Sequence, residues 1–122
     1  MVARVLIDYG ATHSFISTIF ADCLHRSKDT IRQTFRTVLP SGDIKLSSYW
    51  LRTVPVVVSK REMSVDLVVL DMIDYDVILG MDFLSKYGAT IDCKAKAVNF
   101  QPPGEEQFTF NGDKSSSQKM FV

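Results

Sequence analysis

Leu6-Ile7-Asp8-Tyr9-Gly10-Ala11-Thr12-His13-Ser14-Phe15-Ile16 is the stretch on which the reading of this chain turns. The residues that lead into it, Arg4-Val5-Leu6-Ile7, are mostly apolar and β-branched, the pattern of a buried strand, and the strand ends on an acid. Gly10 two positions later marks a tight turn. A carboxylate placed directly after a buried strand sits at the edge of a core, where solvation is reduced. Two roles suit such an acid. It can cap its own turn through a side-chain hydrogen bond, or it can be held there for chemistry, and a bare Asp-x-Gly does not choose between them.

About seventy residues downstream the pattern returns in another form. Tyr75-Asp76-Val77-Ile78-Leu79 reads as a short apolar strand that stops at Gly80, and a short helix is expected over 81–87, closed by Gly88 in a left-handed cap. Between the two fragments, Phe15, Ile16, Ile19, Phe20, Cys23 and Leu24 recur at spacings of three and four, which predicts one apolar face of a helix, with Ser14 or Ser17 as its cap. The rest is strand. Residues 34–39 and 44–48 flank the turn Pro40-Ser41-Gly42-Asp43, and residues 50–58 and 64–70 flank Ser59-Lys60-Arg61-Glu62, which gives two hairpins. Pro55 makes its strand an edge strand or a bulged one. Residues 90–93 and 95–100 form a last pair. After Pro102-Pro103-Gly104 the chain turns polar, and residues 102–122 are expected to be a linker outside the core, leaving residues 1–101 as the domain.

The composition narrows the setting. With 122 residues the chain makes one domain that needs neither metal nor disulfide to hold its core. Its 14 basic and 14 acidic residues balance, so it has no general attraction to nucleic acid or to an anionic membrane, and no basic stripe alternates with aromatics. No apolar run approaches the roughly 18 residues that cross a bilayer. The N-terminus lacks the layout of a signal peptide, and a cytoplasmic location is expected. Cys23 and Cys93 lie far apart without ligand spacing and are expected to be reduced, buried thiols. Asp74, Asp76 and Asp82 lack the pattern of a calcium loop. Asp82 is read as a helix cap or an ion-pair partner. His13 and His25 have no nucleophile or ligand partners nearby in sequence and are read as structural; no metal or cofactor is expected.

Taken together, the stretch from Leu6 to Ile16 and Val77-Ile78-Leu79-Gly80-Met81-Asp82-Phe83-Leu84 resemble the retropepsin-like aspartic proteases of plant gypsy-type retrotransposon gag-pol polyproteins. In that family the first motif usually reads Asp-Ser-Gly-Ala followed by Thr-His-Ser-Phe-Ile, and the second reads Ile-Leu-Gly-Met-Asp-Trp-Leu. The likeness runs from about Leu6 to Phe100 in the same order. It implies an all-β fold, a retropepsin-like acid-protease half-barrel with a flap hairpin and two short helices. It also implies an aspartic endopeptidase that processes its own polyprotein, with Asp8 as the catalytic acid and Tyr9, Gly10 and Ala11 completing the active-site turn. The flap would turn at Pro40, Ser41, Gly42 and Asp43, while Ile78, Leu79 and Gly80 form the supporting strand beneath the turn. Acid proteolysis uses two carboxylates that share a proton. A chain with one such motif therefore needs a second copy of itself, and the expected partners are that copy and extended peptide segments of the polyprotein.

Two departures from the family bear on activity. Tyr9 stands where the family has Ser or Thr, a small hydroxyl that bonds across the dimer beneath the acids. A tyrosine ring there would overfill a tight interface at about 1–3 kcal/mol per site. Seven residues precede Asp8, fewer than the family's usual strand and turn, so β-edge exposure is expected on the strand that leads into the acid. These departures favour a second reading, in which the chain is a catalytically inactive remnant or a dimerisation or peptide-binding module.

Overall fold

The computed structural model describes residues 1–39, 41–111 and 118–122. The fold is mostly strand with two short helices. In chain order the elements are β1 (Val2–Ile7), β2 (Phe15–Ser17), α1 (Thr18–Leu24), β3 (Asp29–Val38), β4 (Ile44–Val58), β5 (Arg61–Leu70), β6 (Val77–Leu79), α2 (Met81–Lys86), β7 (Thr90–Asp92), β8 (Ala97–Phe100), β9 (Phe108–Asn111) and β10 (Gln118–Phe121).

Seven strands form one sheet in the order β10-β1-β6-β2-β5-β4-β3, and β7, β8 and β9 form a second. In the larger sheet β1 runs parallel to β6, with Ile7 opposite Leu79, and β2 lies between β6 and β5. The two strands that carry the sequence motifs are therefore direct neighbours. A single bridge from Phe121 to Val57 brings β10 back toward β4, so the sheet curls without closing.

The turn between β4 and β5 is tighter than the four residues expected. Ser59 and Lys60 make it alone, with φ of 49° and 64°, the two-residue geometry whose twist matches the strands it joins. Pro55 is accommodated by a bulge. The β4–β5 register shifts between Leu51 and Val54, Thr53 takes φ 54°, and its N–H donates to Asp66 Oδ1 at 2.7 Å. Pairing between β3 and β4 stops at Trp50, so no β3 carbonyl needs the N–H that Pro55 lacks.

The main core gathers Val5, Ile16, Leu51, Val56, Leu67, Leu79, Phe83 and Phe100, all less than 2% exposed. Truncating any of the larger ones to Ala would cost about 2–5 kcal/mol. A smaller cluster of Phe15, Val68 and Leu70 packs with Phe35, Leu39 and Ile78 on another side of the sheet. Helix α2 is tied to β5 through Tyr87, whose hydroxyl accepts the Ser64 N–H at 2.7 Å. Burial raises the Tyr87 pKa, but its hydrogen bonds with Ser64 and the charge of Lys86 outweigh that, and the phenol lies below its ordinary value.

Three expectations are corrected. The helix expected from Phe15 onward begins only at Thr18, because Phe15 to Ser17 are strand. The three-and-four spacing had joined two registers, so Ile19 is 76% exposed and Cys23 is also exposed, while α1 buries Phe20 and Ala21. Ser17 is the cap, accepting the Phe20 N–H at 3.1 Å. The cysteines are free as expected but exposed rather than buried. Cys93 follows β7 at the surface.

The third correction concerns the C-terminal segment. Within 102–122, expected to lie outside the core, β9 pairs with β8, and Phe108 stacks on Phe100 with ring centroids 5.0 Å apart. Beyond it, β10 pairs antiparallel with β1, setting Val2 opposite Phe121 and Val5 opposite Gln118. The edge of β1 expected to be open is thus occupied, and its backbone groups are satisfied by the chain's own last strand.

Candidate active site

Asp8 follows the last residue of β1, and its backbone N–H donates to Leu79 O at 2.9 Å, so the β1–β6 ladder fixes where the acid emerges. Its carboxylate turns back on its own loop. Oδ1 accepts the Gly10 N–H at 2.9 Å, and the Asp8 carbonyl accepts the Ala11 N–H at 3.2 Å. The acid thus does cap its turn, and it remains half-buried at a cavity wall. Gly10 is not in the left-handed region. What it provides is space, since a Cβ there would stand 3.2 Å from Asp8 Oδ1.

The segment after the turn is clamped by the second motif. Met81 N donates to Ala11 O at 2.7 Å and Asp82 N to Thr12 O at 3.3 Å. Gly80 N donates to Ser14 Oγ at 3.0 Å, and that hydroxyl donates to Asp82 Oδ1 at 2.6 Å. Asp82 Oδ1 also accepts the Phe83 N–H at 2.8 Å, in the first turn of α2. Gly80 is required by the closeness of the segment that follows the turn, because a Cβ would lie 2.3 Å from His13 O and 2.7 Å from Ala11 O. Ser14, read from the sequence as a possible cap, is a buried link between the two motifs, and Asp82 is its acceptor rather than an ion-pair partner.

Above the turn lies a cavity of about 440 Å³. Its floor is Asp8, Gly10, Ala11 and Ile78, and its roof is the β3 side of the β3–β4 hairpin, with Arg36, Thr37 and Leu39. Asp8 is the only acid in that lining among the described residues. At the hairpin tip Gly42 has φ 90° and its N–H donates to Leu39 O at 2.8 Å; Ser41 and Asp43 flank it, and Pro40 lies outside the described residues. Leu79 is fully buried behind the turn. Tyr9 points elsewhere. It is 65% exposed and borders a separate hollow of about 300 Å³ with Met81, Leu84, Ala89, Ile91 and Cys93.

Of the residues singled out in the sequence, Asp8, Gly10 and Ala11 meet Ile78 and the hairpin around one cavity, while Tyr9 does not line it. Sequence reasoning missed Phe35, Arg36 and Leu70 in the same wall. Phe35 and Arg36 come from β3 and Leu70 from the end of β5, and no local pattern records that these strands meet at the turn. Asp76 is engaged elsewhere, its Oδ2 accepting the Arg4 N–H at 2.9 Å. His13 sets its ring edge-on to Phe35, with centroids 4.7 Å apart.

A single acid on a glycine turn, braced by a parallel strand and roofed by a hairpin, defines a domain of the aspartic-protease class. Residues 1–106 match the family described as retroviral aspartyl protease, and the chain belongs to that family. No curated protein sequence matches it. Among the solved structures that it resembles is the retroviral protease-like domain of Ddi1 from Leishmania major, with a TM-score of 0.66 and 17% identity, covering 93% of this chain and 88% of that one. At such identity the likeness shows the fold.

Proposed function

We propose that this chain is an aspartic endopeptidase that acts as a homodimer, each copy contributing Asp8, and that it processes the polyprotein of a gypsy-type retrotransposon. The observation that carries the reading is the single Asp8 at the floor of a cleft that has no second acid among the described residues. With two copies, one carboxylate takes a proton from a water molecule, whose oxygen attacks the scissile carbonyl carbon. The other gives its proton to the carbonyl oxygen. Collapse of the tetrahedral intermediate breaks the C–N bond as the amine is protonated. The step needs one proton shared between the two carboxylates, an arrangement that like charges a few ångströms apart favour. The β3–β4 hairpin serves as the flap, closing over an extended peptide and excluding water.

Tyr9 favours a second reading, a peptide-binding or dimerising module without catalysis. Its ring leaves the turn 65% exposed, where the family carries a small hydroxyl. One assay separates the two: cleavage of a mixed peptide library between about pH 4 and 7, read by mass spectrometry for the parent, Asp8→Asn and Tyr9→Ser. Endopeptidase activity predicts that the parent cuts and that Asp8→Asn loses at least about a thousandfold in rate. If Tyr9→Ser alone cuts, this copy is a disabled protease. If none cuts while all are folded, the module reading replaces the enzyme.

A further inference from the structure

On the other side of Phe35 from the cleft lies a second and larger hollow, of about 710 Å³, with His13, Asp29, Arg32, Trp50 and Arg52 in its wall. We propose that this groove is an extension of the substrate cleft that selects an acidic side chain, aspartate or glutamate, at an outlying position of the bound peptide. The proposal rests on reading the Asp8 cleft as the peptide site.

The groove originates in the β3–β4 register. Between Thr30 and Phe35 β3 advances five residues while β4 advances two, from Tyr49 to Ser47, so β3 bows away from its partner. The bow leaves space over Trp50. β3 is also the outer strand of the large sheet, and its far side pairs with no strand among the described residues, so its backbone can pair with an extended peptide.

Continuity with the cleft comes from Phe35, which lines both hollows. His13 packs against that ring and directly follows Thr12 of the cleft wall. A peptide that runs from Asp8 along the hairpin therefore passes over Phe35 into the groove.

Charge sets what the groove accepts. Among the described residues the groove wall holds Arg32, Arg52 and one acid, Asp29, and neither arginine makes an ion pair. The Arg52 guanidinium lies 5.0 Å from the centre of the Trp50 ring, which restrains its plane. Arg26, outside the groove's lining, donates to the backbone carbonyls of Arg52 and Thr53 at 3.5 and 3.2 Å. A planar guanidinium presents paired donors that match both oxygens of a carboxylate. Nucleic acid fits less well, because the chain as a whole carries no net charge and the groove continues a peptide cleft.

Trp50 is the chain's only tryptophan, so the groove reports on its own occupancy. The test titrates the full chain with apolar peptides bearing one glutamate, one glutamine or one lysine at each position in turn. Binding is read by Trp50 fluorescence, and cleavage of the same peptides by mass spectrometry. The expected result is that glutamate at one outlying position tightens binding about fivefold over glutamine, the scale of an exposed ion pair. The preference disappears in Arg32→Gln/Arg52→Gln and turns toward lysine in Arg32→Glu/Arg52→Glu. Equal binding of glutamate and glutamine peptides, absence of binding by any, or a preference that survives the double substitution would overturn it. So would quenching by a single-stranded oligonucleotide but not by glutamate peptides. Charge-selective binding without cleavage leaves the groove standing and removes the enzyme; cleavage without charge selection does the reverse.

Discussion

The Asp8 turn and the β3–β4 hairpin face each other across one cavity, and they are built in opposite ways. The turn is fixed several times over. Leu79 O holds the Asp8 N–H, the N–H groups of Met81 and Asp82 hold Ala11 and Thr12, Ser14 joins Gly80 to Asp82, and Val68 N donates to Ser14 O at 2.9 Å. The hairpin buries little. Val38, Ile44, Leu46 and Tyr49 are each at least half exposed, and among the described residues its outer strand has one ladder neighbour. An element with so few buried contacts opens at low free energy, whereas the turn can move only with the core. The contrast suits a site in which the acid must stay in place while its cover admits a peptide.

Substitutions on either side break or sharpen the contrast. The largest stability loss is expected at the turn from Gly80→Ala, whose Cβ collides with two backbone carbonyls that cannot rotate away. It should cost about 3 kcal/mol in denaturant unfolding, the upper range for overpacking. Ser14→Ala should cost about 2 kcal/mol in the same experiment, because it leaves the buried Gly80 N–H without an acceptor. On the hairpin, Leu46→Gln should change stability by less than about 0.5 kcal/mol, since Leu46 is 68% exposed. If Leu46→Gln destabilised as much as Ser14→Ala, the hairpin would be part of the rigid body and the contrast would fail.

The same contrast explains what could be read in the sequence. The strand into Asp8, the glycine turn, and the strand, glycine and helix around Gly80 were legible because each is local and ends in a residue with one conformational meaning. The link between them was not, since Ser14 and Asp82 are 68 residues apart and a serine before an apolar run also reads as a cap. Phe15 and Ile16 misled for a related reason. A three-residue strand running straight into a helix imitates a longer helical face. β10 was hidden by the polar composition just before it, and only its pairing partner, β1, gives it a place. The hollow beside Trp50 depends on a register shift, and register between long strands is set by tertiary packing rather than by the strands' own residues.

On the proposed reading one chain holds half a catalytic site. This is tested most directly by mixing parent and Asp8→Asn chains at constant total concentration, allowing exchange, and following cleavage of one peptide. If both acids are required, activity follows the square of the parent fraction, and an equal mixture retains about a quarter of the parent's rate. Activity proportional to the parent fraction, about half in that mixture, would mean that a single Asp8 suffices and would contradict the account.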